Sequence, residues 1–321
     1  MMADLKVVAL GGGHGLYASL SAMRYVTRNL TAVVTVADDG GSSGRLREEL
    51  GCLPPGDLRM ALAALCDDSE WGHTWRDLLQ YRFETDGPLD HHAVGNLLIS
   101  ALWEQLDDPV AGLDLVARLL QARGRVLPMA LQPLEIAALM ERDGVVTEVH
   151  GQVNVAVAPG NVRKIWLTPS DPVVCPEAVA AIAEADAVVL GPGSWYTSVL
   201  PHLMLPELRA AIVNSPAQKI VTMNLVPQAA ETEGMTALDH LAALSDVAPE
   251  LRVTTVIGDP MSIEDLDEVE AAVARLDGRL LLRQVHGHPV AVHDPLRLAA
   301  AYRDALEGSL GDVGRRHVTH P

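Results

Sequence analysis

Four glycines, Gly11, Gly12, Gly13 and Gly15, surround His14 between a short apolar run and a stretch with helical spacing of its apolar residues. A strand-to-helix turn of this composition lets main-chain N–H groups converge on an anion at the positive end of a helix dipole. The run departs from the dinucleotide fingerprint, because Leu16 stands where the third glycine of G-x-G-x-x-G falls, and no phosphate-binding lysine follows. A turn with only a packing role is the alternative reading.

A second cluster follows the next apolar run. Asp38 and Asp39 end it, where an acidic side chain can accept hydrogen bonds from ribose hydroxyls. The same pair could coordinate magnesium, or could cap the helix beginning near Ser43. Gly40, Gly41, Ser42, Ser43, Gly44 and Arg45 then offer main-chain N–H groups, two hydroxyls and a guanidinium side by side. Val188-Val189-Leu190-Gly191-Pro192-Gly193-Ser194 repeats the strand-glycine-helix order of the first loop, with Tyr196, Thr197 and Ser198 expected in the first helical turn. Gly193 is expected to face the ligand, so that a side chain there would obstruct it. Asn224 ends another strand and could face the same crevice.

Other polar residues have bland explanations beside functional ones. Pro54-Pro55-Gly56-Asp57-Leu58-Arg59 reads as a rigid turn into a helix with Asp57 as N-cap, which leaves Arg59 unexplained. His91, His92 and Asn96 stand at a helix entrance, and a bare His-His pair in an acidic protein is more often a solvated turn than a metal site. No G-x-S-x-G elbow, no H-E-x-x-H and no Cys-His arrangement is present, so no covalent nucleophile is nominated.

The elements that must position these residues alternate in type. Leu5–Leu10 and Thr31–Val36 read as strands around a helix from Leu16 to Arg28. Helical periodicity occupies about 58–122, and two alternating runs within about 135–156 flank Arg142-Asp143-Gly144, a hairpin signal. Strand and helix then alternate again: strands at 162–167, 187–190, 219–226, 253–257 and 280–285, and helices at 176–185, 262–276 and 294–306. The fold class expected is α/β, a Rossmann-like, mostly parallel doubly wound sheet with a helical insertion and an antiparallel hairpin. One domain spans 1–307, followed by a flexible tail at 308–321.

Composition agrees with a buried parallel sheet: of 321 residues, 49% are hydrophobic but only 3% aromatic, so the core is aliphatic. A net charge of −18 argues against a nucleic-acid or anionic-membrane surface, so any phosphate must be held locally. Cys52, Cys66 and Cys175 have neither disulfide-framework nor zinc spacing and read as buried thiols. With no signal peptide and no apolar run of membrane-spanning length, a cytoplasmic location without membrane insertion is expected.

LGGGHGL (10–16), ADDGGSSGRLR (37–47), PPGDLR (54–59), HAVGNLL (92–98), LGPGSWYTSVLP (190–201) and NLVPQAAET (224–232) occur in this order. Together they resemble the gluconeogenesis factor family, the YvcK-like proteins, which are grouped with the 2-phospho-L-lactate transferases, or CofD proteins, of deazaflavin-cofactor synthesis. The resemblance implies a cytoplasmic regulatory protein that binds UDP-N-acetylglucosamine or a related UDP-sugar and supports cell shape and wall-precursor supply during gluconeogenic growth. It leaves a homo-oligomer and regulators of cell-wall synthesis as partners, and implies no firm cofactor. The transferase branch would instead move a phospholactyl group onto a deazaflavin with magnesium assisting, at Asp38 and Asp39 here. Gly40–Arg45 looks closer to the first branch. An NAD-dependent dehydrogenase is disfavoured by the broken fingerprint. Two departures stand out: 226–232 lacks the family's glycine, and 253–294 shows no match for its sugar-contacting tyrosine.

Overall fold

The computed structural model describes residues 4–226 and 235–308. The family-divergent loop at 227–232 and the tail from 309 therefore lie outside the described residues. Seven parallel strands form the main sheet: β1 (Lys6–Gly11), β2 (Asn29–Val34), β3 (Arg125–Pro128), β7 (Ala187–Leu190), β8 (Gln218–Thr222), β9 (Thr255–Gly258) and β10 (Arg279–Leu282). Their order is β10-β9-β8-β7-β1-β2-β3. Val7–Leu10 of β1 and all of β7 are buried, as aliphatic runs covered on both faces require.

The order reverses at β1: β2 and β3 extend to one side, β7 to β10 to the other. The β1/β7 boundary is thus the topological switch point, where the carboxyl ends of diverging strands leave a crevice. Both glycine loops leave the sheet there.

Helix α1 (Gly13–Met23) packs on α3 (Pro55–Leu65) and α13 (Pro295–Glu307). Between β2 and β3 the helices α2 (Gly41–Leu50), α3, α4 (Glu70–Gln80), α5 (Val94–Leu106) and α6 (Pro109–Leu119) form the expected insertion. Local chemistry sets their ends: Asp108 accepts hydrogen bonds from the N–H groups of Val110 and Ala111, with Pro109 following, and Ser69 caps α4 through Gly72 N. Strand β3 was not anticipated, because four residues immediately after a helix carry too little periodicity to declare themselves.

The hairpin is present: β4 (Glu135–Arg142) pairs antiparallel with β5 (Val145–His150) across Asp143 (φ 52°) and Gly144 (φ 78°). Its second arm ends at His150, after which 152–157 forms the short helix α7 (Gln152–Val157). The run expected to resume the parallel sheet, β6 (Asn161–Thr168), instead pairs antiparallel with β4 in a separate sheet of order β5-β4-β6. Its side chains are mostly half-buried or exposed, the pattern of a one-sided antiparallel strand. Helices α8 (Pro176–Ala183), α9 (Pro201–Met204), α10 (Pro206–Asn214), α11 (Ala237–Val247) and α12 (Leu266–Arg275) complete the described chain. No helix among the described residues is long and apolar enough to cross a membrane.

Candidate functional site

The two glycine loops touch. Gly12, the N-cap of α1, has no side chain to cap that helix, so its first N–H groups are left to other partners, and Asp57 takes that of Gly13. A β-carbon on Gly15 would overlap the carbonyl of Pro192 and the α-carbon of Gly193. Gly193 has φ 137°, a conformation that favours glycine. A β-carbon there would lie 3.5 Å from Gly15 Cα and 3.7 Å from the Gly12 carbonyl oxygen, ordinary contact distances, and Gly193 itself borders the cavity beside the loops.

Asn224 holds the second loop from below: its Oδ1 accepts from Gly193 N–H at 2.9 Å, and its Nδ2 donates to the Gly193 carbonyl at 2.9 Å. The Gly191 carbonyl accepts from Ser19 Oγ at 2.8 Å. Beyond Ser194 the chain makes a single π turn, Trp195–Val199, in place of the expected α-helical turn, and Thr197 and Ser198 are buried within it. Alongside the loops opens a cavity of about 600 Å³ bounded by His14, Tyr17, Asn224, Leu225, Val226 and His293.

Beneath the first loop lie two carboxyl groups. Asp38 accepts from Gly40 N–H at 3.0 Å and from the Ser43 hydroxyl, and burial raises its pKa. Asp57 is not the N-cap of α3; Pro54 is, and Asp57 sits in the first turn, where it accepts a hydrogen bond from Gly13 N–H. Burial, and then the neighbouring Asp38 charge, push Asp57 up to about 7. Its Oδ2 is buried and has no partner, as is the Thr35 hydroxyl at the end of β2. The buried Arg59 guanidinium opposes part of this upward shift in both carboxyl groups.

Asp39 does not join Asp38. Its Oδ1 accepts from Val153 N–H at 3.0 Å at the start of α7, tying the small sheet to the end of the β2 segment. Asp38 and Asp39 thus have different hydrogen-bond partners, and the carboxyl group whose charge acts on Asp57 is that of Asp38. Among the described residues no group of three or more His, Cys, Asp or Glu side chains is arranged to hold a metal.

Ser42, His92, Asn96 and Arg59 form a buried supporting network that reaches the exposed Gln80. Ser42 Oγ accepts from Asn96 Nδ2 at 3.0 Å and lies 3.0 Å from His92 Nδ1, while Arg59 Nε donates to Asn96 Oδ1 at 2.8 Å and its NH1 to Gln80. Ser42 therefore gives its single proton to His92 Nδ1, and burial lowers the pKa of that ring. Arg45 donates to the carbonyls of Asp90, at 2.5 Å, and Pro88, at 3.3 Å, so it pins the 87–90 loop instead of lining the phosphate loop. Gly44 packs against the Asp39 carbonyl, and Gly41, at φ 47°, opens the uncapped N-terminus of α2.

The structure thus brings together Gly11–Gly15, Gly191–Ser194, Asn224, Asp38, Ser43 and Asp57. It assigns Asp39, Ser42, Arg45, Arg59, His92 and Asn96 to the layer behind them. Thr35, Tyr17 and His293 were missed, because nothing in their sequence neighbourhoods marks them and only the fold carries them to the crevice.

Residues 7–284 match the family model described as 2-phospho-L-lactate transferase CofD. The chain is 48% identical over 303 residues to the "Putative gluconeogenesis factor" of Mycobacterium tuberculosis, covering 92% of this chain and 88% of that protein. It is 40% identical over 272 residues to the "Gluconeogenesis factor" of Listeria innocua, covering 83% of each. A crystal structure of a UPF0052 family member from Bacillus halodurans superposes with a TM-score of 0.83 at 34% identity, covering 94% of this chain and 99% of that one.

Proposed function

The chain belongs to the CofD/UPF0052 family that includes the gluconeogenesis factors, and on that premise we propose that it is a cytoplasmic regulatory protein that binds a nucleotide-sugar of the UDP-N-acetylglucosamine type. In this reading it serves cell shape and wall-precursor supply during gluconeogenic growth. The observation that carries it is the contact of two strand-glycine turns at the switch point, where an uncapped helix N-terminus opens beside a cavity of about 600 Å³. A diphosphate takes the N–H groups of the first loop that Asp57 leaves free, with the second loop as the facing wall, and the rest of the ligand takes the cavity.

Isothermal titration calorimetry tests this. UDP-N-acetylglucosamine is expected to bind with micromolar-range affinity, about −8 kcal/mol, and binding is expected to survive EDTA. Silence with UDP-N-acetylglucosamine and UDP-glucose at millimolar concentration, with heat from GDP or NAD, contradicts it.

One observation favours a second reading, a phospholactyl transferase. The Asp38–Asp57 pair, with its unpartnered Oδ2, suits a magnesium ion that would neutralise phosphate charge during group transfer. Strict magnesium dependence with turnover of a deazaflavin acceptor would replace the first reading by this one.

A further inference from the structure

The crevice continues past the glycine loops, over the ends of β8 and β9. The larger cavity adjoins a second one of about 200 Å³ bounded by Met223, Thr236, His240, Met261 and Glu264, and the two share Asn224, Leu225 and Val226. No Lys or Arg lines either among the described residues. An anion therefore belongs at the loops, and this extension suits an uncharged group.

Two imidazoles border the extension, and their tautomers follow from their partners. His240 Nδ1 lies 2.7 Å from the Thr236 carbonyl oxygen. A carbonyl only accepts, so Nδ1 carries the proton and Nε2 presents a lone pair. The ring of His293 bonds the main chain of Met223. The Met223 N–H is already given to the Ile257 carbonyl, so the carbonyl of Met223 is what the His293 ring meets. Nε2 is the nitrogen of His293 without a partner, so Nδ1 makes this bond and Nε2 is again an acceptor.

Among the described residues neither Nε2 atom has a hydrogen-bond partner, and both are buried. An acceptor left unpaired in this way carries its full desolvation penalty, which a donor from a ligand would relieve. Burial lowers the pKa of both rings, that of His293 to about 4, so both are neutral acceptors at physiological pH. The His240 ring is further fixed by edge contact with the buried Trp195, whose Nε1 donates to the His240 carbonyl at 3.0 Å.

We propose that the uncharged part of the ligand extends from the glycine loops over the ends of β8 and β9 and donates O–H or N–H hydrogen bonds to Nε2 of His240 and His293. This rests on the nucleotide-sugar reading above. It assigns the two rings to recognition of ligand hydroxyl or ring N–H groups, and it gives the ligand a direction: phosphates at β1 and β7, uncharged end at β8 and β9.

The test is calorimetry on the full chain with UDP and UDP-N-acetylglucosamine as separate probes. His240→Phe and His293→Phe keep a flat ring and remove the acceptor; His240→Gln and His293→Gln restore an acceptor near the Nε2 position. Each Phe variant is expected to bind UDP-N-acetylglucosamine about tenfold more weakly, the value of one hydrogen bond, and each Gln variant to return within about threefold of the parent. Loss confined to UDP-N-acetylglucosamine assigns the donor to the sugar, and equal loss with UDP assigns it to the base; either result supports the proposal. Phe variants that bind both probes like the parent overturn it while the nucleotide-sugar reading stands, and so do Gln and Phe variants weakened alike, which would mark a packing role. A parent that binds neither probe overturns that reading and this proposal with it.

Discussion

The second glycine loop is braced at Gly191 and Gly193, whereas the first rests on a carboxyl group with one oxygen unpartnered. Asn224 satisfies both main-chain groups of Gly193. A hydroxyl chain holds Gly191. Ser19 gives its proton to the Gly191 carbonyl, so the Tyr302 hydroxyl, 2.7 Å away, gives its proton to Ser19, and Thr222, 3.0 Å from Tyr302, donates in turn. Burial pushes Tyr302 up to about 12, which keeps that donor protonated. Under the first loop, by contrast, Asp57 keeps a buried oxygen without a partner beside the Asp38 carboxyl. A satisfied network fixes geometry, and an unsatisfied one stores the demand that a ligand or cation meets. One loop is a wall, and the other is a receptor.

The most severe way to break that division is to force the loops apart. Gly15→Val places branched carbon where the Pro192 carbonyl stands, and overpacking of this kind at two backbones is expected to cost about 3 kcal/mol or more. Thermal melting should show the loss, and UDP-N-acetylglucosamine binding should vanish. Asn224→Leu is next. It strips Gly193 of two hydrogen bonds, for about 2 kcal/mol of stability. Because the loop then loses its fixed position, affinity measured by calorimetry should fall at least about tenfold, as for one lost interaction of 1.4 kcal/mol.

Asp57→Asn sharpens the comparison through pH. The folded pKa of about 7 lies above the ordinary 3.8, so the folded state holds a proton that the unfolded state has released between these values. The contribution of Asp57 to stability is therefore full below about pH 4 and is lost as pH rises through 7. Asn cannot ionise. Denaturant titrations should find the variant more stable than the parent at pH 8, by about 1–2 kcal/mol, with the gap closing toward pH 5. If the first loop receives phosphate without a cation, the variant should also bind the ligand at least as well as the parent at pH 8. The smallest effect belongs to Arg45→Ala, because this side chain grips only the carbonyls of Pro88 and Asp90 at an exposed edge. Stability should change by less than about 1 kcal/mol, and affinity by no more than about threefold.

The sheet, its order of elements and both glycine turns were legible because each is written locally, in aliphatic runs that stop at glycine. The hairpin announced itself through Asp143-Gly144. What the sequence hid was set by distant partners. Asn161–Thr168 leaves the parallel sheet for β4, and its one local mark is Arg163-Lys164, which breaks the aliphatic run that a strand buried on both faces requires. Asp38 and Asp39 looked equivalent as neighbours at a strand end, yet β2 stops at Val34 and the two lie in the loop beyond it, where one meets α2 and the other meets α7. Arg45 and Ser42 carry phosphate-binding chemistry, but the helical insertion engages both first. The partner of Asp38 is Asp57, which the sequence offered only as a cap.

Hydrogen–deuterium exchange of the full chain, with and without saturating UDP-N-acetylglucosamine, tests most directly whether the two loops form one site. Amides in 11–20 and in 191–198 should both slow when ligand is present, while those of 71–83 in the helical insertion stay unchanged. Slowing in one loop without the other, or in the insertion with neither loop, would contradict a shared site at the junction of β1 and β7.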